Sequence, residues 1–465
     1  MSLPNRQDCT AQLPDEILDS IIWSTGPRYA TAVTRTIYPE KRNWLSCASV
    51  CRRWHRITLP HSFRYLRVME TNYMNDYSER TASNFYLFLQ ENPPIANLVQ
   101  EVNFIRVAAN MKVFCSILDA LPNLQCLALH DSIVDAELEV GLDTCRARTT
   151  SRTLDKLVYW SGACEVIDCT PEVCGMQLPQ LLSLFSEVGE FEAHGGCSNE
   201  HEIPSKLEGV APQIHSFNTI SDLEYYHTLR RLGLFDHLTC LQLTLSQFSR
   251  VGPYGNEFLN AVGRTQTLRE LRLSYTQRVD ERSFNLGSQL PATMANLVRD
   301  GLVACSGSLH GFRLDMKTWI TRARLTTEEN ARRIFHLGFL IGLEIIALLD
   351  VDQIQHVSFR YFVGCAHHCR PQDIRGLDWA RLRDICRRIV DLRSFNLDIF
   401  DKEAQKDHFR ACAHDEMKQL EPEFRDVMTY GEPRDFFRCD DPTCAWYSGK
   451  RLNSYITVHD ILKGR

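Results

Sequence analysis

Leu238-Thr239-Cys240-Leu241-Gln242-Leu243-Thr244-Leu245, and again Leu268-Arg269-Glu270-Leu271-Arg272-Leu273-Ser274-Tyr275, repeat one phrase, apolar-x-x-apolar-x-apolar. Its last two apolar positions have the two-residue period of a strand face, and the first closes the turn before it. Further copies stand at Val99/Val102/Phe104, Leu124/Leu127/Leu129, Leu154/Leu157/Tyr159, Leu309/Phe312/Leu314, Ile354/Val357/Phe359 and Leu392/Phe395/Leu397, with a weaker one at Ile214/Phe217. Because neighbours on a strand alternate faces, Gln242, Thr244, Arg272 and Ser274 are expected on the side opposite the leucines.

Helix-like segments lie between the copies, at 82–90, 111–121, 257–262 and 290–302. A recurring strand-then-helix unit cannot bury its own apolar faces, so neighbouring units stack, with strands on the concave side and helices outside. That repetition resembles a leucine-rich-repeat solenoid. Apart from the gap between Leu154 and Ile214, the copies sit roughly 24 to 45 residues apart, mostly wider than the 20–29 of regular repeats, and none carries a clean Asn after the phrase. The reading is therefore an irregular leucine-rich-repeat-like α/β solenoid over 71–400, with an unrelated α/β domain as the competing reading.

Upstream, Leu13-Pro14-Asp15-Glu16-Ile17-Leu18 opens a helix and Leu45-Ser46-Cys47-Ala48-Ser49-Val50-Cys51-Arg52-Arg53-Trp54 closes a helical stretch. Pro14 suits a first helical turn because its missing N–H has no partner there, and Asp15 and Glu16 complement the dipole. Ile17, Leu18, Ile21 and Ile22 then form one apolar face. So small a helical piece needs a partner or a neighbouring domain.

The pattern Leu-Pro-x-Glu-Ile-Leu followed by Val-Cys-Arg-x-Trp resembles the F-box, over about a tenth of the chain. The resemblance implies a three-helix module over 1–70 that docks on a Skp-type adaptor and, through it, joins a cullin-based (SCF) ubiquitin ligase. The residues matching adaptor-contacting positions are Leu13, Pro14, Ile17, Leu18, Leu45, Val50, Cys51 and Trp54. The link 23–44 is longer than usual and carries Gly26-Pro27 and Tyr38-Pro39, so it reads as an insertion looped out between helices. The whole chain resembles F-box proteins with degenerate leucine-rich repeats, a type abundant in fungi. In such a receptor the solenoid holds a protein target, and Gln242, Thr244, Arg272 and Ser274 are its candidate contacts.

Composition narrows the alternatives. A length of 465 residues allows two or three domains or one long array, and a net charge of -6 argues against a general nucleic-acid surface. The start, Met1-Ser2-Leu3-Pro4-Asn5-Arg6, shows no apolar signal region, so the 18 scattered cysteines read as reduced thiols of a cytoplasmic or nuclear protein. Thr326-Thr327-Glu328-Glu329 is a capping box ahead of the apolar run 334–349, which reads as a buried helix and not a membrane span. The stretch 60–68 alternates like a half-buried strand. Residues 401–465 read as a helix over 402–420, an irregular tail with a turn at 430–433, a last strand at 456–458, and aromatic residues that pack the tail back as a cap.

Metal and catalysis are expected to be absent. Cys365-Ala366-His367-His368-Cys369 with Cys439 and Cys444 could offer zinc soft ligands, but the spacing lacks the tight Cys-x-x-Cys form. Cys164, Cys169 and Cys174 make a poorer set still. No nucleophile elbow, phosphate loop or His-Glu-x-x-His stands in the chain, so no cofactor is expected and the chemistry falls to partner subunits. Two further hypotheses stay open: a non-ligase interaction scaffold, and a small-ligand binder or zinc-dependent enzyme built around Cys365–Cys369.

Overall fold

The computed structural model describes residues 13–25, 44, 46–69, 79–135, 152–160, 178–194, 212–219, 226–246, 254–279, 303–305, 307–320, 328–349, 353–363, 371–400, 412–413, 416 and 428–430. The protein is α/β, with parallel sheets, and its described residues fall into two compact units, one within 1–163 and one within 164–449.

The first unit opens with helix α1 (Asp15–Thr25), whose first turn carries Asp15 and Glu16 and whose opening carbonyl, that of Pro14, accepts from the N–H of Leu18 at 3.1 Å. Leu18 and Ile22 are fully buried. Residues 46–48 form a helical turn, followed by α2 (Arg52–Arg64). Three side-chain contacts bind the helices together. Asp15 takes Arg53 at 2.6 Å and Arg56 at 2.8 Å, and Asp19 meets His61 at 2.7 Å. Trp44, at the far edge of the expected insertion, is buried and donates its indole N–H to the carbonyl of Ile22 at 3.1 Å.

The stretch 60–68 corrects the expectation of a strand throughout: helix α2 runs through Pro60 to Arg64, and strand β1 (Tyr65–Met69) starts only there. Alternation of apolar residues was a weak signal against the packing of α2 on α1. The His61–Asp19 contact, and the Ser62 hydroxyl donating to the carbonyl of Thr58 at 3.2 Å, favour the helix.

Next come α3 (Glu79–Glu91), the single turn α4 (Pro93–Ala96), β2 (Glu101–Ile105), β3 (Ala108–Asn110), α5 (Met111–Asp119), β4 (Cys126–His130), β5 (Ile133–Asp135) and β6 (Thr153–Trp160). Strands β1-β2-β4-β6 pair in parallel in that order, and β3 pairs with β5 in a smaller ladder. After β2 and after β4 the chain turns through a left-handed residue, Arg106 (φ 55) and Asp131 (φ 48), before the short strand. The side chain of Asn110 caps α5 by accepting from the N–H of Val113 at 2.9 Å.

The second unit holds β7 (Glu187–His194), β8 (Gln213–Thr219), α6 (Tyr226–Arg231), β9 (Cys240–Ser246), α7 (Tyr254–Thr265), β10 (Glu270–Val279), β11 (Gly311–Ile320), α8 (Glu328–Ala347), β12 (His356–Val363), a 3-10 turn (Pro371–Gly376), α9 (Trp379–Arg388), β13 (Ser394–Phe400) and β14 (Met428–Tyr430). Its strands are parallel neighbours in chain order. One backbone device recurs at the strand entrances. Each of Thr239, Arg269, His310 and Gln355 offers its carbonyl to two successive N–H groups of the next strand entrance, at 2.7 to 3.1 Å.

Register aligns the phrases. Phe217, Leu241, Leu271, Phe312, Val357 and Phe395 lie in one row, and Leu243, Leu273, Leu314, Phe359 and Leu397 in another, all buried. The leading residues Leu238, Leu268, Leu309 and Ile354 are fully buried as expected. Helices cover this apolar face: Phe258 of α7 lies 6.2 Å from Phe217, and Phe335 of α8 stacks on Tyr361 at 5.5 Å. At the closest approach of α8, a Cβ on Gly342 would stand 2.3 Å from Cζ of Phe359, so only glycine fits.

The capping-box helix forms as expected, whereas the helix expected at 290–302 and the strand at 456–458 lie outside the described residues. Of the helix expected over 402–420, residues 412–413 and 416 are described and helical. Strand β14, in what was read as an irregular tail, adds to β13.

Candidate functional site

Two surfaces gather the residues the sequence singled out. The first lies on α1 and the segment leading into α2. Pro14 and Cys51 are exposed, Leu13 and Trp54 are half-buried, and large apolar groups face solvent at Ile17 (48 %), Ile21 (40 %) and Val50 (61 %). Leu18, by contrast, is fully buried, so it supports this surface from beneath and offers no contact of its own. Leu45 lies outside the described residues. Arg53 stiffens the surface by bonding to both the Asp15 carboxylate and the carbonyl of Leu13. The Asp15 carboxyl is held below its ordinary range, chiefly by the hydrogen bond from Arg53.

The second surface is the face of the second unit's sheet opposite the helices. Register brings the four expected residues together: Gln242 pairs with Arg272 and Thr244 with Ser274, making a two-by-two patch across β9 and β10. The same two rows continue onto strands that sequence reasoning left out. One runs Asn218, Gln242, Arg272, Arg313, Ser358, Asn396, and the other Thr244, Ser274, Asp315, Arg360, Asp398. Adjacent parallel strands are about 4.8 Å apart, so these side chains are within reach of one another.

Charges on this face are ordered. Arg272 donates to Glu270 at 2.6 Å, Arg313 grips Asp315 with two bonds of 3.0 Å, and Arg360 lies 3.6 Å from Asp398, which is fully buried. Burial pushes the Asp315 carboxyl up, but Arg313, Arg360 and Lys317 outweigh it and hold the group below the ordinary carboxylate value. At the strand entrances His356 lies 2.8 Å from the Ser394 hydroxyl, and its pKa is lowered by burial, then by Arg393 and His310. The thiol of Cys240, between β8 and β10, is pushed up to about 12 by burial and by Glu270, so it is no nucleophile near neutral pH.

Arg313, Ser358, Asn396 and Asp398 of these rows are themselves buried, so hydrogen bonds and charge pairs to a polar or charged segment fall to the half-buried Asn218, Gln242, Thr244, Arg272, Ser274, Asp315 and Arg360. The signal for this face was available as far as each strand's polar positions could be read, but the pairing between strands is a property of register.

The expected metal candidates at 365–369, 439 and 444, and the set at 164, 169 and 174, lie outside the described residues. Among the described residues no group of three or more His, Cys, Asp or Glu side chains is arranged to hold a metal, and no helix is long and apolar enough to cross a membrane. Neither the scan against models of known families nor the search of curated proteins found a match for this chain.

Proposed function

We propose that this protein is the substrate receptor of an SCF-type cullin ubiquitin ligase. Its N-terminal helices dock a Skp-type adaptor as an F-box does, and the remaining units form an irregular leucine-rich-repeat-like solenoid whose polar strand face takes a protein target. The chain itself performs no catalysis. It contributes proximity, presenting a lysine of the target to ubiquitin activated on partner subunits. The observation that carries the reading is the coincidence of motif and exposure: Ile17 and Val50, at adaptor-contacting positions of the F-box pattern, are 48 % and 61 % exposed beside exposed Pro14 and Cys51. Apolar side chains gathered on a small helical surface lose their contact with water when a partner covers them. The solenoid reading is supported by strands that neighbour one another in chain order and by the carbonyl that recurs at four strand entrances.

The test is a pull-down of the full chain with a purified Skp-type adaptor, beside an Ile17→Asp, Val50→Asp double variant. Both residues are exposed, so the variant keeps its fold. Wild-type capture that falls at least tenfold in the variant is the expected result. A folded wild-type chain that captures no adaptor would overturn the receptor reading and leave the strand face as a free-standing interaction surface.

A further inference from the structure

Among the described side chains, four cations occupy three adjacent strands of the polar face: Arg272 on β10, Arg313 and Lys317 on β11, and Arg360 on β12. Three of them are anchored by carboxylates, Arg272 by Glu270, Arg313 by Asp315 and Arg360 by Asp398. Lys317 is the exception. Among the described residues its ammonium has no carboxylate within ion-pair distance, although it is half-buried. Burial disfavours its charge, Arg360 and Arg313 disfavour it further, and Asp315 offsets this only in part.

The site is open to solvent at its rim: the side chain of Asp315 is 29 % exposed and that of Arg360 13 %. Phe362 is the register partner of Lys317 across β11 and β12, so the two share one face of the sheet. Asp315, the carboxylate that acts on Lys317, is already gripped by Arg313 through two bonds. A cation taken partly out of water without an ion pair of its own raises the free energy of the unbound protein, and a bound anion lowers that cost.

We propose that Lys317, flanked by Arg360 and Arg313, receives the carboxylate of an acidic side chain from an extended segment of a partner protein lying across β9–β12. This rests on reading the strand face as the target surface. The neutral groups Gln242, Thr244 and Ser274 line the same face on β9 and β10. Thr244 lies two strands across and two residues along the sheet from Lys317, roughly 12 Å, which an extended segment covers in about four residues. The preferred segment therefore places a small polar residue about four positions from its Asp or Glu.

The experiment presents the full chain to immobilised 12-residue peptides of four kinds: Glu-containing, phosphoserine-containing, Lys-containing, and uncharged Ser/Gln peptides. Wild-type protein is expected to retain Glu peptides at least fivefold over Lys and uncharged ones, with retention falling as salt rises. Lys317→Met should remove the preference and Lys317→Arg should keep it, each variant melting within a few degrees of wild type. Equal retention of all peptides, a preference for Lys peptides, or an unchanged preference in Lys317→Met would overturn the proposal. Retention of phosphoserine peptides without Glu peptides would overturn the carboxylate assignment. Adaptor capture by the same preparation separates the two readings: intact capture without an acidic preference refutes this site alone, whereas lost capture refutes the receptor.

Discussion

Gly342→Ala is expected to destabilise the second unit by about 2 kcal/mol. The new Cβ would stand 2.3 Å from Cζ, 2.6 Å from Cε2 and 3.2 Å from Cε1 of Phe359, against an optimal carbon–carbon separation of about 3.5–4.0 Å. The ring has no room to retreat, since it is fully buried, with Phe339 at 5.4 Å and Tyr361 at 6.3 Å between ring centres. Overpacking of this kind costs about 1–3 kcal/mol, and so deep an overlap belongs near the upper end. Alanine returns about 1 kcal/mol as the better helix former inside α8, which leaves the net figure above. For a unit of this size that corresponds to a fall in melting temperature of about 4–8 °C. The assay is thermal unfolding followed by circular dichroism, with Phe359→Leu and the double variant measured in parallel. Leucine at 359 makes room for the methyl group, so the double variant should lose at least 1 kcal/mol less than the sum of the two single changes. An unchanged or raised melting temperature in Gly342→Ala, or strictly additive losses, would refute the tight helix–sheet contact.

Two other outcomes follow from the ionisable groups. The folded-state pKa of Asp315 lies below its ordinary value of 3.8, so its charge stabilises the fold above that value and the contribution is lost as pH falls through the lowered folded pKa. Asp315→Asn should therefore be less stable than wild type at neutral pH, with the gap closing below about pH 4 in acid-dependent urea unfolding; a gap independent of pH would count against the Arg313 and Arg360 contacts. Among thiols, Cys51 is exposed, whereas Cys240, Cys305 and Cys386 are each pushed up to about 12, by burial above all. Native protein treated with iodoacetamide at pH 8 should be alkylated at Cys51 and spared at the other three, and peptide mass mapping that finds those three modified first would show the sheet core to be open.

What the sequence settled by itself was local. Pro14 with Asp15 and Glu16 started α1, the Thr326–Glu329 capping pattern announced α8, and the apolar phrases marked β2, β4, β6 and β9 to β13, because a helix start and a strand face are written in residues a few positions apart. Strand β7 carries the same phrase as Val188/Phe191/Ala193, and the small third residue hid it. Alternation across 60–68 misled because it weighed less than the contact of His61 with Asp19, a residue 42 positions away. The tertiary structure alone decided which side chains became neighbours. Each strand's polar positions could be counted from the sequence, but the rows joining Gln242 to Arg272 and Arg313, and Asp315 to Arg360 and Asp398, exist only once parallel pairing fixes the register. Lys317 was one lysine among many in the sequence. It became distinctive only when folding half-buried it among Arg313, Asp315 and Arg360, since desolvation and charge proximity are properties of the packed chain.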